Sequence, residues 1–295
     1  MSSTLGVAGT TDVPALIINA DDFGLSEGIN RGIIEGFRAG AITSTSVMVG
    51  MPAFGDAVRL AHDAETLGVG LHFTLTAGKP LTRASSLIDD RTGNFLRVPA
   101  LVGRALAGHV RSRDVEDECA AQIAVARAGG LHLTHLDSHH HIHLLPGVRA
   151  AVRRVVEAER IPAVRRPAER IIGVIGWRRR LPERVLIGTL ARYVNCTGWG
   201  ANTSDHFVGS VLLGARHFHS LLLRILHSLA SGTTELMVHP GYVPGPLPGN
   251  DSYTTQREIE LQALTSSDVL ARLHSGAIRL VNYGHIRDAG CVTGA

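Results

Sequence analysis

Lysine, aromatic residues and cysteine are all scarce in this chain of 295 residues. Lys79 is the only lysine among 29 basic residues, so arginine carries nearly all the positive charge. The formal net charge is only +3, which is too small to predict nucleic-acid binding from charge alone. The three cysteines, Cys119, Cys196 and Cys291, are far apart and form no CxxC pattern. They therefore exclude a disulfide scaffold and favour a reducing compartment.

Long hydrophobic runs are also missing from the sequence. No apolar stretch approaches the roughly 18 residues that a membrane span needs. Met1 to Asp12 have neither the basic part nor the apolar part of a signal peptide. We therefore expect a cytoplasmic protein without a transmembrane segment. With 44% hydrophobic residues the chain can fill a substantial core, which excludes disorder as its main state.

Short apolar runs alternate with helical patterns along the chain, which predicts an α/β fold with a parallel sheet or barrel. Residues 79–110 are predicted to be irregular. We expect one domain over 14–285, with a helical excursion near 168–230 and tails at 1–13 and 286–295. The strands are predicted at 15–19, 42–49, 70–75, 133–139, 163–165, 235–238 and 278–283, and the main helices at 29–37, 53–64, 114–128 and 147–159.

Histidine is unusually frequent: there are 16, and six of them lie between His132 and His143. Polar residues also follow the predicted strands at four points. Because loops at the carboxyl ends of the strands meet at one rim in α/β barrels, we expect these side chains to lie close together. They are Asp21–Asp22, His72, His139 and His239.

Asp21 and Asp22 follow the first predicted strand in the sequence Asp-Asp-Phe-Gly, which is typical of a turn. Two adjacent carboxylates can serve different roles, one binding a cation and the other acting as a base. The alternative is a simple turn with an N-capping acid. The pair alone does not decide between these interpretations.

The histidine-rich segment 134–143 is predicted to continue a strand. On a strand Asp137, His139 and His141 would share one face, and His140 would point to the other. Imidazole and carboxylate ligands predict a site for Zn²⁺, Mg²⁺, Mn²⁺ or Co²⁺. The alternative is a histidine-rich surface loop without a metal. Similarly, His72 or His239 taken singly is compatible with a buried core histidine.

Five separated motifs stand in order along the chain, and together they resemble the YdjC-like carbohydrate deacetylases over about residues 14–283. Arg-Gly-Ile-Ile-Glu-Gly at 31–36, Tyr-Thr-Thr-Gln-Arg-Glu at 253–258 and Leu-Val-Asn-Tyr at 280–283 are similar to the hopanoid-biosynthesis-associated branch of that family. The five motifs are Asn-Ala-Asp-Asp-Phe-Gly-Leu at 19–25, Thr-Ser-Thr-Ser at 43–46, Gly-Leu-His at 70–72, Thr-His-Leu-Asp-Ser-His-His-His at 134–141 and His-Pro-Gly-Tyr at 239–242.

The resemblance implies a distorted, incomplete (β/α) barrel of the TIM-like type that removes an N-acetyl group from a sugar. It implies one divalent ion, and His141 stays an alternative to His139 as a ligand of that ion. Arg165 is the weaker assignment, because Arg166 lies next to it. The implied roles are cation binding by Asp22, His72 and His139, catalysis by Asp21 as base and His239 as acid, orientation of the base by Arg165, and further contacts around the ligands or substrate by Asp137, His141 and Tyr242.

The stretch 165–192 holds eight arginines among apolar residues. Such a stretch can lie on an anionic membrane surface and meet a lipid-linked substrate at the inner face of the membrane. The alternative is a helical excursion that packs on the barrel with its arginines in solvent. The expected substrate is an N-acetylated sugar, free or lipid-linked, and a homodimer is compatible with the sequence.

Two other functions fit parts of the pattern. A phosphoester hydrolase also uses a cation with carboxylates, but the chain has no glycine-rich phosphate loop. A sugar- or metal-binding protein without catalysis would not need a base at Asp21. The sequence therefore favours the deacetylase over both alternatives.

Overall fold

The computed structural model describes residues 13–169, 201–248 and 252–289. Its strands are β1 (Ala15–Phe23), β2 (Ser44–Val47), β3 (Gly68–Phe73), β4 (Leu133–Ser138), β5 (His206–Val208), β6 (Thr233–Val238) and β7 (Arg279–Leu280). Its helices are α1 (Glu27–Arg38), α2 (Phe54–His62), α3 (Val98–Leu106), α4 (Ser112–Ala128), α5 (Val148–Ala158), α6 (Phe218–His227), α7 (Thr255–Leu264), α8 (Ser267–Leu273) and α9 (Gly284–Ala289), with a 3-10 helix at His139–Leu144. Among these described helices, none combines the length and apolar character that crossing a bilayer demands.

The strands form one parallel sheet in the order β4-β3-β2-β1-β6-β5, and β7 pairs with the start of β1. The segment 163–169 touches both edges of this sheet, since Val164 bridges to Leu136 on β4 and Glu169 bridges to Phe207 on β5. The sheet therefore curls into an incomplete (β/α) barrel, which confirms the predicted fold class.

Alternation along β1 separates the outside of the barrel from its inside. Leu16 and Ile18 belong to the large apolar core, whereas Ile17 belongs to a small separate cluster with Tyr283. Helix α1 covers the outside, and its Ser26 cap accepts a hydrogen bond from the backbone N–H of Ile29 at 3.3 Å. The polar residues of the site therefore lie on the inner face and at the carboxyl end of the strands.

Several predicted element boundaries are wrong. Residues 21–23 of the expected turn at 21–24 are instead the last part of β1, because the carboxylates there are buried rather than solvated, and the turn begins at Gly24. The expected irregular segment 79–110 contains helix α3, and the strand expected at 133–139 stops at Ser138. The described part of the expected helical excursion near 168–230 contains strand β5 as well as helix α6. Residues 170–200, which include most of the arginine-rich stretch, lie outside the described residues.

Candidate functional site

A β-bulge in β1 brings two adjacent carboxylates into the site. Ala20 pairs with Thr45 and Phe23 pairs with Val47, so Asp21 and Asp22 share one position opposite β2. Asp22 has a left-handed backbone with φ of 71°, which is unusual for a residue other than glycine. In a regular strand the two side chains would point to opposite faces. The bulge instead buries both in the same site.

Three side chains from three strand ends converge on one point. Asp22 Oδ1 lies 3.3 Å from His72 Nε2 and 3.2 Å from His139 Nδ1. Asp22 Oδ1 is a buried oxygen without a hydrogen-bond partner. One carboxylate oxygen and two imidazole nitrogens are a common ligand set for a divalent cation.

The histidine-rich segment leaves the strand at His139, its candidate ligand. His140 and His141 have left-handed φ values of 58° and 53°, and the chain turns there into the 3-10 helix. The predicted strand-like alternation of this segment is therefore wrong. His139 stays beside Asp22, whereas the ring of His141 lies 6.1 Å from that of Phe207 and is not in the ligand group. Burial and the charge of Arg165 lower the pKa of His141 well below its usual range.

Asp137 contacts His72 at Nδ1, the ring nitrogen that does not face Asp22. Its Oδ1 lies 2.8 Å from His72 Nδ1, and its Oδ2 accepts a hydrogen bond from Ser46 Oγ at 2.9 Å. Burial alone would lower the pKa of His72, but Asp137 and Asp21 raise it to about 10. Without a cation His72 therefore holds a proton, which a cation would displace. A carboxylate behind a ligand histidine fixes its ring and its tautomer.

Arg165 lies fully buried among three carboxylates. Its Nη1 and Nη2 donate to Oδ2 and Oδ1 of Asp21, both at 2.7 Å. Nη1 also lies 2.7 Å from Asp137 Oδ2, and Nε donates to Glu235 Oε1 at 2.7 Å. The structure thus brings Arg165 against Asp21, and Arg166 makes no such contact. A two-pronged contact of this kind fixes the direction of the carboxylate.

Arg257 on α7 is paired with the other aspartate. Its Nη2 donates to Asp22 Oδ2 at 2.6 Å, which leaves Oδ1 facing the two histidines. Burial alone would raise the pKa of Asp22, but Arg257 and the two histidines hold that pKa well below its usual range. Asp22 is therefore ionised at neutral pH, as a cation ligand must be.

His239 stands at the end of β6 beside Asp21. Its Nε2 lies 3.8 Å from Asp21 Oδ2, and its buried Nδ1 has no hydrogen-bond partner. The backbone N–H of His239 donates to Glu260 Oε2 at 2.6 Å, and the hydroxyl of Tyr253 donates to the other Glu260 oxygen. Burial raises the pKa of Glu260, while the positive potential of His239 opposes this rise. The backbone of His239 is therefore fixed from α7.

The buried charges around the site fit a divalent cation. Four buried carboxylates pair with only two buried arginines, which leaves two negative charges when all four are ionised and the histidines are neutral. A divalent cation beside the unpartnered Asp22 oxygen would balance them. A second grouping of Asp21, His72 and Asp137 has a similar composition, but both of its carboxylates are already paired with Arg165. The first grouping is therefore the better cation site.

The sequence predicted the role of some site residues only imprecisely and gave no role to others. Tyr242, expected near the substrate, donates through its hydroxyl to Glu35 on α1 at 2.8 Å. Four residues that complete the site had no predicted role: Ser46, Glu235, Arg257 and Glu260. Ser46 and Arg257 lie within quoted motifs, which was the available signal, whereas Glu235 was noted only as the start of a predicted strand and Glu260 lies in no quoted motif.

Comparison with known proteins agrees with this geometry. A family model described as YdjC-like protein matches residues 15–275. The chain is 38% identical to a carbohydrate deacetylase of Geobacillus stearothermophilus over 267 residues, which cover 90% of this chain and 96% of that protein. It is 34% identical to a carbohydrate deacetylase of Brevibacillus brevis, with 92% and 99% covered. A crystal structure from Enterococcus faecalis V583, described as a cellobiose-phosphate cleavage protein, has the same fold, with a TM-score of 0.71, 24% identity, and 93% of this chain and 99% of that chain covered.

Proposed function

The chain belongs to the YdjC-like family, and on that premise we propose that it is a metal-dependent hydrolase that removes the N-acetyl group from an amino sugar. One observation carries the proposal: Asp21, a buried carboxylate outside the ligand group, lies beside the triplet of Asp22, His72 and His139. A site that only bound a cation or a sugar would have no use for such a base. The names of the curated relatives support the same reaction class.

Hydrolysis of an acetamide is slow because water is a weak nucleophile and an amine is a poor leaving group. A cation held by Asp22, His72 and His139 would supply Lewis-acid chemistry, lowering the pKa of water and polarising the acetyl oxygen. Three protein ligands suit this role, since a fully ligated ion would serve structure only. The ligand set admits Mg²⁺, Zn²⁺, Mn²⁺ or Co²⁺.

Asp21 is proposed to take the proton from the attacking water. Arg165 fixes both of its oxygens, and Asn19 Nδ2 donates to Oδ1 at 2.9 Å. Oδ1 therefore already accepts two hydrogen bonds, whereas Oδ2 accepts one from Arg165 and can still accept another. The base is thus held in one orientation, which contributes to rate by removing the entropy cost of alignment.

His239 is proposed to donate a proton to the departing nitrogen. Its Nε2 stands 3.8 Å from Asp21 Oδ2, so the acceptor and the donor of the two proton transfers lie side by side. An imidazole is suited to this step because its ordinary pKa lies near neutrality. General acid catalysis of this kind contributes about two to four orders of magnitude in rate.

The finer part of the proposal concerns the substrate. Similarity of residues 31–36, 253–258 and 280–283 to the hopanoid-biosynthesis-associated branch favours an N-acetylglucosamine linked to a lipid. That substrate would bring the enzyme to the inner face of the membrane. Acetate released equally fast from soluble and lipid-linked sugars would argue against this part alone.

Acetate release tests the proposed function. The protein is stripped with a chelator, reloaded with Mg²⁺ or Zn²⁺, and assayed with N-acetylated chito-oligosaccharides and with a chromogenic phosphoester. We expect acetate only from the loaded enzyme and no phosphoester turnover. Phosphoester turnover without acetate would identify a phosphoester hydrolase, and sugar binding without turnover of either would identify a binding protein.

A further inference from the structure

We propose that Glu235 and Tyr283 are positioning residues for the base Asp21 and act on it through Arg165. This inference rests on the proposed function, because it takes Asp21 as the group that accepts the proton. Both residues are fully buried inside the barrel. Neither belongs to the group of candidate cation ligands.

Glu235 completes the anchors of the Arg165 side chain. The two terminal nitrogens of Arg165 hold Asp21, while Nε on the adjoining edge donates to Glu235 Oε1 at 2.7 Å. The guanidinium group is planar, so fixing Nε also fixes the direction in which the terminal nitrogens face. Without Glu235, rotation about the Cδ–Nε bond would be opposed by Asp21 and Asp137 at the terminal nitrogens but no longer by a contact at Nε.

Tyr283 fixes Glu235 in turn. Its hydroxyl donates to Glu235 Oε2 at 2.5 Å, so the two carboxylate oxygens are held by different partners. The backbone N–H of Tyr283 donates to Ser44 Oγ on β2 at 3.0 Å. A residue from the end of the described chain thus reaches into the barrel and supports a residue of β6.

The ring of Tyr283 is held by His135 from β4. The two rings stack at 3.7 Å between centroids and 11° between planes. A Cβ at Gly70 would lie 2.3 Å from the His135 ring, so glycine leaves the space in which the ring sits. Burial lowers the pKa of His135 to about 3, so the ring is neutral at pH 7 and adds no charge beside Arg165.

Neutralisation of Arg165 does not explain why Glu235 is there. Asp21 alone neutralises Arg165, and Asp137 already adds a second carboxylate. A buried carboxylate is costly unless it is paired, and well-packed apolar residues often replace a buried ion pair without loss of stability. Burial raises the pKa of Glu235 to about 7, while Arg165 and Tyr283 oppose the rise. What Glu235 supplies that an apolar residue cannot is the bond to Nε.

Three variants test the inference by steady-state kinetics of acetate release: Tyr283→Phe, Glu235→Gln and Glu235→Leu. Ile286→Val is the matched control, because Ile286 packs with Tyr283 in the same small cluster. We expect kcat to fall about fivefold, about tenfold and about 100-fold in that order, because glutamine keeps an acceptor for Nε and leucine does not. KM and the cation Kd from calorimetry should stay within about twofold, as should every value for Ile286→Val.

Equal losses for the glutamine and leucine variants, or an unchanged kcat in Tyr283→Phe, would overturn the inference. The solvent-exchange rate of the Arg165 Nε–H proton, measured by NMR, tests the inference without an activity assay. It should quicken at least about tenfold in Tyr283→Phe and stay unchanged in Ile286→Val. Wild-type enzyme that releases no acetate would defeat the proposed function, whereas an Nε–H exchange rate unaffected by Tyr283→Phe would defeat the positioning role. If Glu235→Leu does not fold, Tyr283→Phe still decides whether the positioning role holds.

Discussion

The two faces of β1 are both buried, but one carries apolar side chains and the other carries the polar side chains of the site. Leu16 and Ile18 face the helices and join the main apolar core, whereas Asn19 and Asp21 face the inside of the barrel and bind polar partners. Burial of the first pair stabilises the fold through apolar area. Burial of the second pair aligns charges and costs stability unless each partner is present. The strand therefore keeps the main apolar core on one face and the polar contacts on the other, except at the bulge, which brings Asp22 into the site as well.

The same separation holds on β4. Leu136 belongs to the apolar core, while His135 and Asp137 on either side of it face the interior network. Substitutions on the two faces should therefore affect different quantities. Inner-face substitutions should change turnover or cation binding, and outer-face substitutions should change the free energy of unfolding.

The strongest inner-face test is Asp21→Asn. We expect acetate release to fall by about four orders of magnitude, because asparagine cannot accept the proton. Cation affinity should stay within about threefold, since Asp22, His72 and His139 are untouched. The measurement pairs kcat with calorimetric titration of the cation. A loss below tenfold would remove Asp21 from the role of base.

A second inner-face test separates two neighbouring histidines. His139→Ala should weaken cation binding by about three orders of magnitude, because one of three ligands is lost. His141→Ala is the matched control, and its cation affinity should stay within about threefold. Competition with a fluorescent chelator measures both. A larger loss of cation affinity in His141→Ala than in His139→Ala would identify His141 as the ligand instead.

The outer face is tested by Ile18→Ala, next to the site in sequence but on the opposite side of the strand. We expect a loss of about 3 kcal/mol in the free energy of unfolding, because a fully buried side chain leaves a cavity. Denaturant titration measures this loss. The kcat of the folded fraction should stay within about twofold. A tenfold fall in that kcat would break the separation between the two faces.

Measured over a single pH unit, the smallest expected effect is a dependence of stability on pH. Burial lowers the pKa of His135 to about 3 and, despite the carbonyl of Arg165, that of His143 to about 4. Above pH 6.5 neither the folded nor the unfolded state binds these protons. As the pH falls from 6.5 toward 4 only the unfolded state binds them, so stability is lost.

Each of these histidines should contribute a slope of about 1.4 kcal/mol per pH unit in that window. His143→Gln removes one titrating group and should flatten the slope by that amount. Urea titrations at several pH values measure it. An unchanged slope in His143→Gln would show that His143 is protonated inside the fold.

Local pattern was enough to predict the framework of the fold. Apolar, β-branched runs predicted strands overlapping β1, β3, β4 and β6, and the alternation with helices predicted the barrel. The end of β1 was missed because Asp21 to Gly24 have turn composition, whereas the buried partners of the two carboxylates keep residues 21–23 in the strand, with a bulge at Asp22. Strand β5 was missed because three residues are too short for a periodic signal.

The site was predictable as far as its residues lie in recognisable motifs. The pairing of several supporting residues was not predictable, because the partners are distant in sequence: Arg257 meets Asp22 across 235 positions, and Tyr283 meets Glu235 across 48. The left-handed turn at His140 is likewise set by tertiary contacts. The strand-like alternation expected there was reasonable locally and wrong in the folded chain.

The central claim is that one divalent cation is held by Asp22 with two histidines and is needed for acetate release. The most direct test measures cation content per chain after dialysis, together with acetate release, for the wild type and Asp22→Asn. We expect one tightly held cation per wild-type chain, and loss of both cation and activity in a folded Asp22→Asn variant. Equal cation content in the two proteins, or full acetate release without a cation, would contradict it.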